Sequence, residues 1–254
     1  MKRMIYLALV AIVAMTATSC LKVNLDSSFD KTPTLIPMGL KGMDVVVEPF
    51  TEVSIENAFK VIYQQGQNYT VRVEASDQAI QEMTVYVKEG ELRIRKAVKK
   101  VSPTVSFADV KVYVTSPVLS SIEIAGSGVF TASNRIEGSG GLDVEIAGSG
   151  QVLLADYSGS KADLEVAGSG TIEIGNLECP TAKAEIAGSG DINLGSMTCH
   201  KLDVEIAGSG NVNCDNITAD EVHSEIAGSG NVNLKGTVKK HTEDIAGSGK
   251  VTIE

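Results

Sequence analysis

The chain has no tryptophan, three histidines and four cysteines in 254 residues, and aromatic side chains make up only 4% of it. Three histidines cannot activate a repeated serine nucleophile. Glycine is abundant, at 25 residues, but never falls at every third position, so collagen is excluded. Hydrophobic residues at 43% make the chain too apolar for a disordered polymer. No long apolar run occurs outside the extreme N-terminus, which excludes a multi-span membrane protein. Basic charge is scarce where the sequence is most regular. Residues 1–120 carry 14 Lys and Arg against 12 Asp and Glu, a net of +2; residues 121–254 carry 8 against 20, a net of −12. A surface this acidic repels phosphates, so no nucleic acid partner is expected. The basic run Arg93, Arg95, Lys96, Lys99 and Lys100 is the exception. Its alternation with Leu92 and Ile94 reads as the wet face of a strand, with docking of an acidic partner as the alternative.

The N-terminus reads as an address. Lys2 and Arg3 precede an apolar stretch from Ile5 to Met15, too short to span a bilayer. Ala17, Thr18, Ser19 and Cys20 follow, and this order is similar to a bacterial lipobox, although Ala17 stands where Leu is usual. The expectation is a signal peptide over 1–19, with Cys20 as the lipidated mature N-terminus and membrane anchor. An ordinary secretory signal is the alternative. Residues 20–42, polar and punctuated by Pro33, Pro37 and Gly39, read as a flexible tether.

From residue 121 a repeat dominates. Ile-Ala-Gly-Ser-Gly, once with Val first, begins at Ile124, Ile146, Val166, Ile186, Ile206, Ile226 and Ile245, at spacings of 22, 20, 20, 20, 20 and 19. A fixed period of this size marks a solenoid. In one unit Leu202, Val204 and Ile206 alternate with Asp203 and Glu205, Gly208-Ser209-Gly210 bends the chain, and Val212, Cys214 and Ile217 supply further inward residues. Residues one period apart match: Val152, Ile172, Ile192, Val212, Val232 in one column and Leu154, Ile174, Leu194, Cys214, Leu234 in another. This predicts an all-β solenoid, a parallel β-helix of about 20 residues and three inward segments per coil, over 121–254. Antiparallel hairpins turned by Gly-Ser-Gly are the alternative. Residues 43–120 keep the strand alternation without the repeat and hold seven aromatics, among them Phe50, Phe59, Tyr63 and Phe107. They read as irregular N-terminal coils and a cap.

The sharpest chemical feature is a column of acids preceding each repeat: Glu123, Glu145, Glu165, Glu185, Glu205, Glu225 and Asp244. Stacked about 5 Å apart, these carboxylates form either a solvated face, a weak Ca²⁺ strip or a surface for a basic partner. The nonapeptide period of calcium β-rolls is absent. Asn193, Asn213 and Asn233 form an outward column that is either a hydrogen-bonded ladder or a platform for sugar hydroxyls. Cys179 and Cys199, one period apart, suit a disulfide or two buried thiols, and a zinc site with His200 lacks the usual ligand spacing. Cys214 belongs to the core, and Lys161, Lys183 and Lys201 read as scattered. No catalytic residue and no firm metal site is assigned.

With the early strands, the passage from Val110-Lys111-Val112-Tyr113-Val114 through Pro117 and Leu119 to Ile122, and Gly-Ser-Gly followed by Asn-Val-Asn, residues 43–254 resemble the head GIN domain family of auto-transporter adhesins. The resemblance implies a single-stranded right-handed β-helix in a bacterial lipoprotein or secreted protein, and no catalytic motif. The expected role is adhesin-like binding or presentation of an envelope or extracellular ligand, protein or glycan, at the cell envelope and outer membrane, without catalysis and without a cofactor. The alternatives are a structural envelope protein that self-associates through its last coil, Val251 to Glu254, and a polysaccharide-active β-helix enzyme.

Overall fold

The computed structural model describes residues 40–97, 105, 107, 109–138 and 140–254. The expected signal peptide, Cys20 and nearly all of the tether lie outside them, as do Lys99 and Lys100. In chain order the elements are β1 (Lys41–Val45), β2 (Glu52–Asn57), β3 (Lys60–Gln65), β4 (Thr70–Ala75), the short helix α1 (Asp77–Gln81), β5 (Met83–Lys88), β6 (Glu91–Lys96) and β7 (Lys111–Ser116). The repeats then give β8 (Ser121–Gly126), β9 (Val129–Glu137), β10 (Gly141–Gly148), β11 (Gln151–Ser158), β12 (Lys161–Gly168), β13 (Thr171–Glu178), β14 (Thr181–Gly188), β15 (Asp191–Gly208), β16 (Asn211–Gly228), β17 (Asn231–Gly247) and β18 (Lys250–Ile253).

The protein is a parallel β-solenoid of about seven turns with roughly 20 residues each. One face stacks β8, β10, β12, β14 and the C-terminal halves of β15, β16 and β17; the other stacks β9, β11, β13, the N-terminal halves of β15 to β17, and β18. Every one of these pairings is parallel, so the hairpin alternative falls. The reason is the core. Ile172, Ile192, Val212 and Val232 lie in register and have no exposed surface, and each such side chain contributes about 1.5–3 kcal/mol by leaving water. A single coil cannot bury them; only the coil above and the coil below can.

Each coil keeps the three inward segments that the alternation predicts: Val212 and Cys214, then Ile217 and Ala219, then Val222, Ser224 and Ile226, with a bend at Asp215 and Asn216 between the first two. At that bend two successive residues face outward, Ala155 and Asp156 in β11, between buried Leu154 and Tyr157. The bend also absorbs irregular spacing. Leu154 lies over Ala132, an offset of 22, whereas Asp156 lies over Arg135, an offset of 21. In the last coil Leu234 lies over Cys214 at 20 and Gly236 over Ile217 at 19. The strands therefore stay in register while the bend gains or loses a residue.

The threading differs from the sequence reading. β2 and β3 pair in parallel with β8 and β9 above and with β6 and β7 below. The coil at residues 52–65 is thus inserted between two coils made later in the sequence. Asn57 takes the register position of Gly126 and adopts the same left-handed side of backbone space, φ 78°, which asparagine tolerates better than most residues. Below this coil, β4 and β5 run antiparallel to β7 and β6, and β1 runs antiparallel to β4, closing that end. Aromatic pairs fill it: Phe50 on Tyr69 at 5.5 Å, Phe59 on Phe107 at 5.3 Å and Tyr63 on Phe130 at 5.7 Å. Gln65 ties the layers together, donating to the Pro117 and Glu137 carbonyls and accepting from the Glu137 N–H. At the opposite end His241 and Glu243 take the register positions of buried Val222 and Ser224. Polar residues in inward columns are one way natural sheets blunt an exposed edge.

Candidate functional site

The acid column forms as the period requires. Glu123, Glu145, Glu165, Glu185, Glu205, Glu225 and Asp244 stand in continuous register. Burial, then the charge of neighbouring Glu165 and Glu123, pushes the Glu145 carboxyl above its ordinary value of 4.5. Glu165 is raised by burial and then Glu185. Glu123 is raised by burial and then Glu91, partly offset by Ser54 and Arg93. The lysines of these repeats pair with nearby acids. Lys183 sits 2.5 Å from Glu185 and 3.0 Å from Glu205, Lys201 reaches Asp203 at 2.7 Å, Lys240 reaches Glu221 at 2.6 Å, and Lys161 pairs with Asp163. Residues two apart on a strand share a face, which pairs Lys161, Lys183 and Lys201 with acids of their own strands, whereas Lys240 reaches its register partner Glu221 on the adjoining coil. Among the described residues no group of three or more His, Cys, Asp or Glu side chains is arranged to hold a metal ion.

This face makes a prediction. A carboxylate with a raised folded-state pKa lets the native chain keep its proton to higher pH than the unfolded chain, so stability falls as pH rises through that window. The melting temperature should therefore rise as pH drops from 7 toward about 4.5, the ordinary value. Asp220, held low by bonds from Lys239 and His200, and Glu221, held low by Lys240, oppose this only below their ordinary values of 3.8 and 4.5. A Glu145→Gln, Glu165→Gln variant should melt higher at pH 7 and show a flatter profile. Sodium chloride should raise the wild-type melt by screening, and calcium at matched ionic strength should add nothing. A further rise specific to calcium would establish the strip as a cation site.

The second site is a trough on the other face, which the sequence reading did not anticipate. A cavity of about 740 Å³ runs from Thr131 and Ser133 across Leu153, Glu173 and Asn193 to Asn213 and Asp215. A second, of about 340 Å³, shares Asn213 and Asp215 and continues past Asn233 and Lys235 to Thr252 and Glu254. The bend creates the hollow. Its floor includes Ala155, Gly175 and Gly195. A Cβ on Gly175 would lie 2.3 Å from the Ala155 carbonyl oxygen, so the turn needs glycine to stack this closely. Along the wall the asparagine ladder is formed: Asn213 Nδ2 donates to Asn193 Oδ1 at 2.8 Å and Asn233 Nδ2 to Asn213 Oδ1 at 2.9 Å. A parallel ladder outside the trough runs from Asp191 through Asn211 to Asn231, at 2.9 and 3.0 Å. The column was legible in the sequence; the concavity beside it was not.

Cys179, Cys199 and Cys214 are buried free thiols, so no bond joins Cys179 to Cys199 in this structure. Burial pushes the Cys179 thiol up to about 11 and, with Cys179 and Cys214 nearby, the Cys199 thiol to about 12. Neither is a nucleophile at neutral pH. His200 Nδ1 lies 2.7 Å from Asp220, and His223 Nδ1 lies 3.0 Å from Thr242 Oγ1, both on exposed surface and neither lining the trough.

A parallel solenoid with one closed, aromatic end and a trough across its coils defines the class: a repetitive β-solenoid scaffold. The family model described as "Putative auto-transporter adhesin, head GIN domain" matches residues 49–254, and the chain belongs to that family. Solved structures agree on the fold. A "putative adhesin" from Bacteroides fragilis superimposes with a TM-score of 0.76 at 20% identity, covering 86% of this chain and 99% of its own. A second, from Parabacteroides distasonis, gives 0.72 at 22%, covering 85% and 97%. A "putative lipid binding protein" from the same species gives 0.61 at 20%, covering 86% and 98%. No match appears among curated proteins.

Proposed function

We propose that this chain is an envelope lipoprotein, anchored through Cys20, whose solenoid binds an extracellular or envelope ligand in an adhesin-like manner without catalysis. The observation that carries the reading is the trough: a concave surface of mixed polar and aliphatic lining that crosses the coils from Thr131 to Glu254. Family membership supports the adhesin-like role. Two or more acyl chains would make attachment nearly permanent, and residues 21–42 would hold the trough away from the bilayer. End-to-end self-association through Val251 to Glu254 is less favoured, because His241 and Glu243 interrupt the apolar columns in the last coil.

The test is fractionation together with binding. Wild type should partition with membranes, and Cys20→Ala should be soluble. On intact cells external protease should cleave the anchored protein. The soluble variant should retain a ligand on an array of glycans and matrix proteins. A Cys20→Ala protein still found with membranes would refute the anchor. An array without any binding would refute the adhesin-like role.

A further inference from the structure

We propose that the trough takes one linear, uncharged, hydroxyl-rich polymer, a neutral glycan chain, laid across the coils and held by the second hydrogen-bonding groups of the asparagine ladder. This rests on the adhesin-like reading and names its ligand class.

Shape comes first. The two hollows share Asn213 and Asp215 and together touch seven successive coils, from Thr131 to Thr252. Six steps of about 4.8 Å give a length of roughly 29 Å. An elongated ligand fits such a channel, and a compact one leaves most of it empty.

Hydrogen bonding decides between extended ligands. The trough runs across the strands, and β11, β13, β15 and β16 are each paired in parallel on both sides. No free strand edge is offered along these four strands. A peptide gains most of its affinity in such grooves from main-chain pairing with an edge, and here its own amides would meet only side chains. Each asparagine amide has two N–H donors and two acceptor lone pairs. At Asn213 the ladder uses one donor toward Asn193 and one acceptor toward Asn233. One donor and one acceptor remain, adjacent on a single group; one coil away Asn193 keeps both donors and one acceptor, and Asn233 keeps one donor and both acceptors. A hydroxyl both gives and accepts a hydrogen bond, so a row of such amides matches a row of hydroxyls.

Charge then narrows the class. Glu173, Asp215 and Glu254 line the trough, and its one lysine, Lys235, is 3.5 Å from Asp215. The channel repels phosphate, sulfate and uronate polymers. Ala132, Leu153, Ala155, Ile174 and Leu194 give the larger hollow an aliphatic lining across four coils for the C–H faces of sugars. With no aromatic ring among the described residues that line the trough, affinity per chain is modest, and many anchored copies on one cell supply avidity.

The experiment uses the full-length protein in detergent micelles with cellohexaose, mannohexaose and polygalacturonate as probes, read by calorimetry and by glycan array. Wild type should bind at least one neutral hexamer and not polygalacturonate. Asn213→Leu should weaken that binding at least tenfold. Asn211→Leu, which breaks the equivalent ladder outside the trough, should leave it within twofold, and matching melts would show that both variants are folded. No neutral glycan binding at millimolar concentration, preference for polygalacturonate, or binding indifferent to Asn213→Leu would each overturn the inference. If intact cells still adhere, or an array of matrix proteins returns a ligand, the adhesin-like reading survives and only the glycan assignment fails.

Discussion

A Gly208→Ala variant is expected to lose about 3 kcal/mol or more of stability, although it adds a single methyl group at a solvent-facing turn. Gly208 has φ 140°, a backbone state that side-chain-bearing residues rarely adopt. Its added Cβ would stand 2.1 Å from the Gly188 carbonyl oxygen and 3.0 Å from the Gly188 carbonyl carbon. Both are backbone atoms of the neighbouring coil, and that coil is fixed in turn, since the Ser209 N–H donates to the same oxygen at 2.8 Å. No side chain can rotate away to relieve the contact. The same geometry recurs at Gly148, Gly168, Gly188, Gly228 and Gly247, where the nearest backbone oxygen is 2.1 to 2.4 Å from a built Cβ. Ser209→Ala, one residue away and exposed, is the control and should change stability by less than about 0.5 kcal/mol. Urea titration followed by circular dichroism reads both. Equal midpoints for the two variants would mean that the turns do not rest on one another.

This close stacking explains which parts of the fold were legible. The Gly-Ser-Gly turn must recur at a fixed interval because each copy sits on the last, so the interval wrote the register of Ile172, Ile192 and Val212 directly into the sequence. The coil at 52–65 carries no such mark. Its turn reads Asn57-Ala58-Phe59, and only Asn57, by its positive φ, shows the glycine's role. Which coils flank it is decided by pairing over long separations, β2 with β6 and β8, and no local pattern encodes that choice. The lysine pairs divide in the same way. Lys161 with Asp163 and Lys201 with Asp203 are two apart and readable as one strand face; Lys183 with Glu205 spans a full coil. The trough stayed hidden because it depends on a bend. A reading by alternation treats Gly175-Asn176 or Gly195-Ser196 as turn residues, whereas the chain continues as strand and folds a hollow beside them.

The bend also determines where the chain accepts a change in length. Inserting one glycine after Asp215 should cost no more than about 1 kcal/mol, a surface-loop change. The first coil already has this form, with Ser133 and Asn134 between Ala132 and Arg135 where β11 has only Ala155 between Leu154 and Asp156. Deleting Val204 should instead cost on the order of 5 kcal/mol, from the summed burial and charge terms. Val204 lies between Ala184 and Ser224 in the core column. Without it the strand slips by one residue and every side chain beyond changes face. Glu205 would enter the core, Ile206 would leave it, and Gly208 would no longer rest on Gly188. A loss of that size is a large share of a typical domain's total stability, so the deletion should appear as insoluble or unfolded protein, and the insertion as a soluble protein with a near-native melt. Comparable behaviour of the two would show that strand register carries no more of the stability than the bends do.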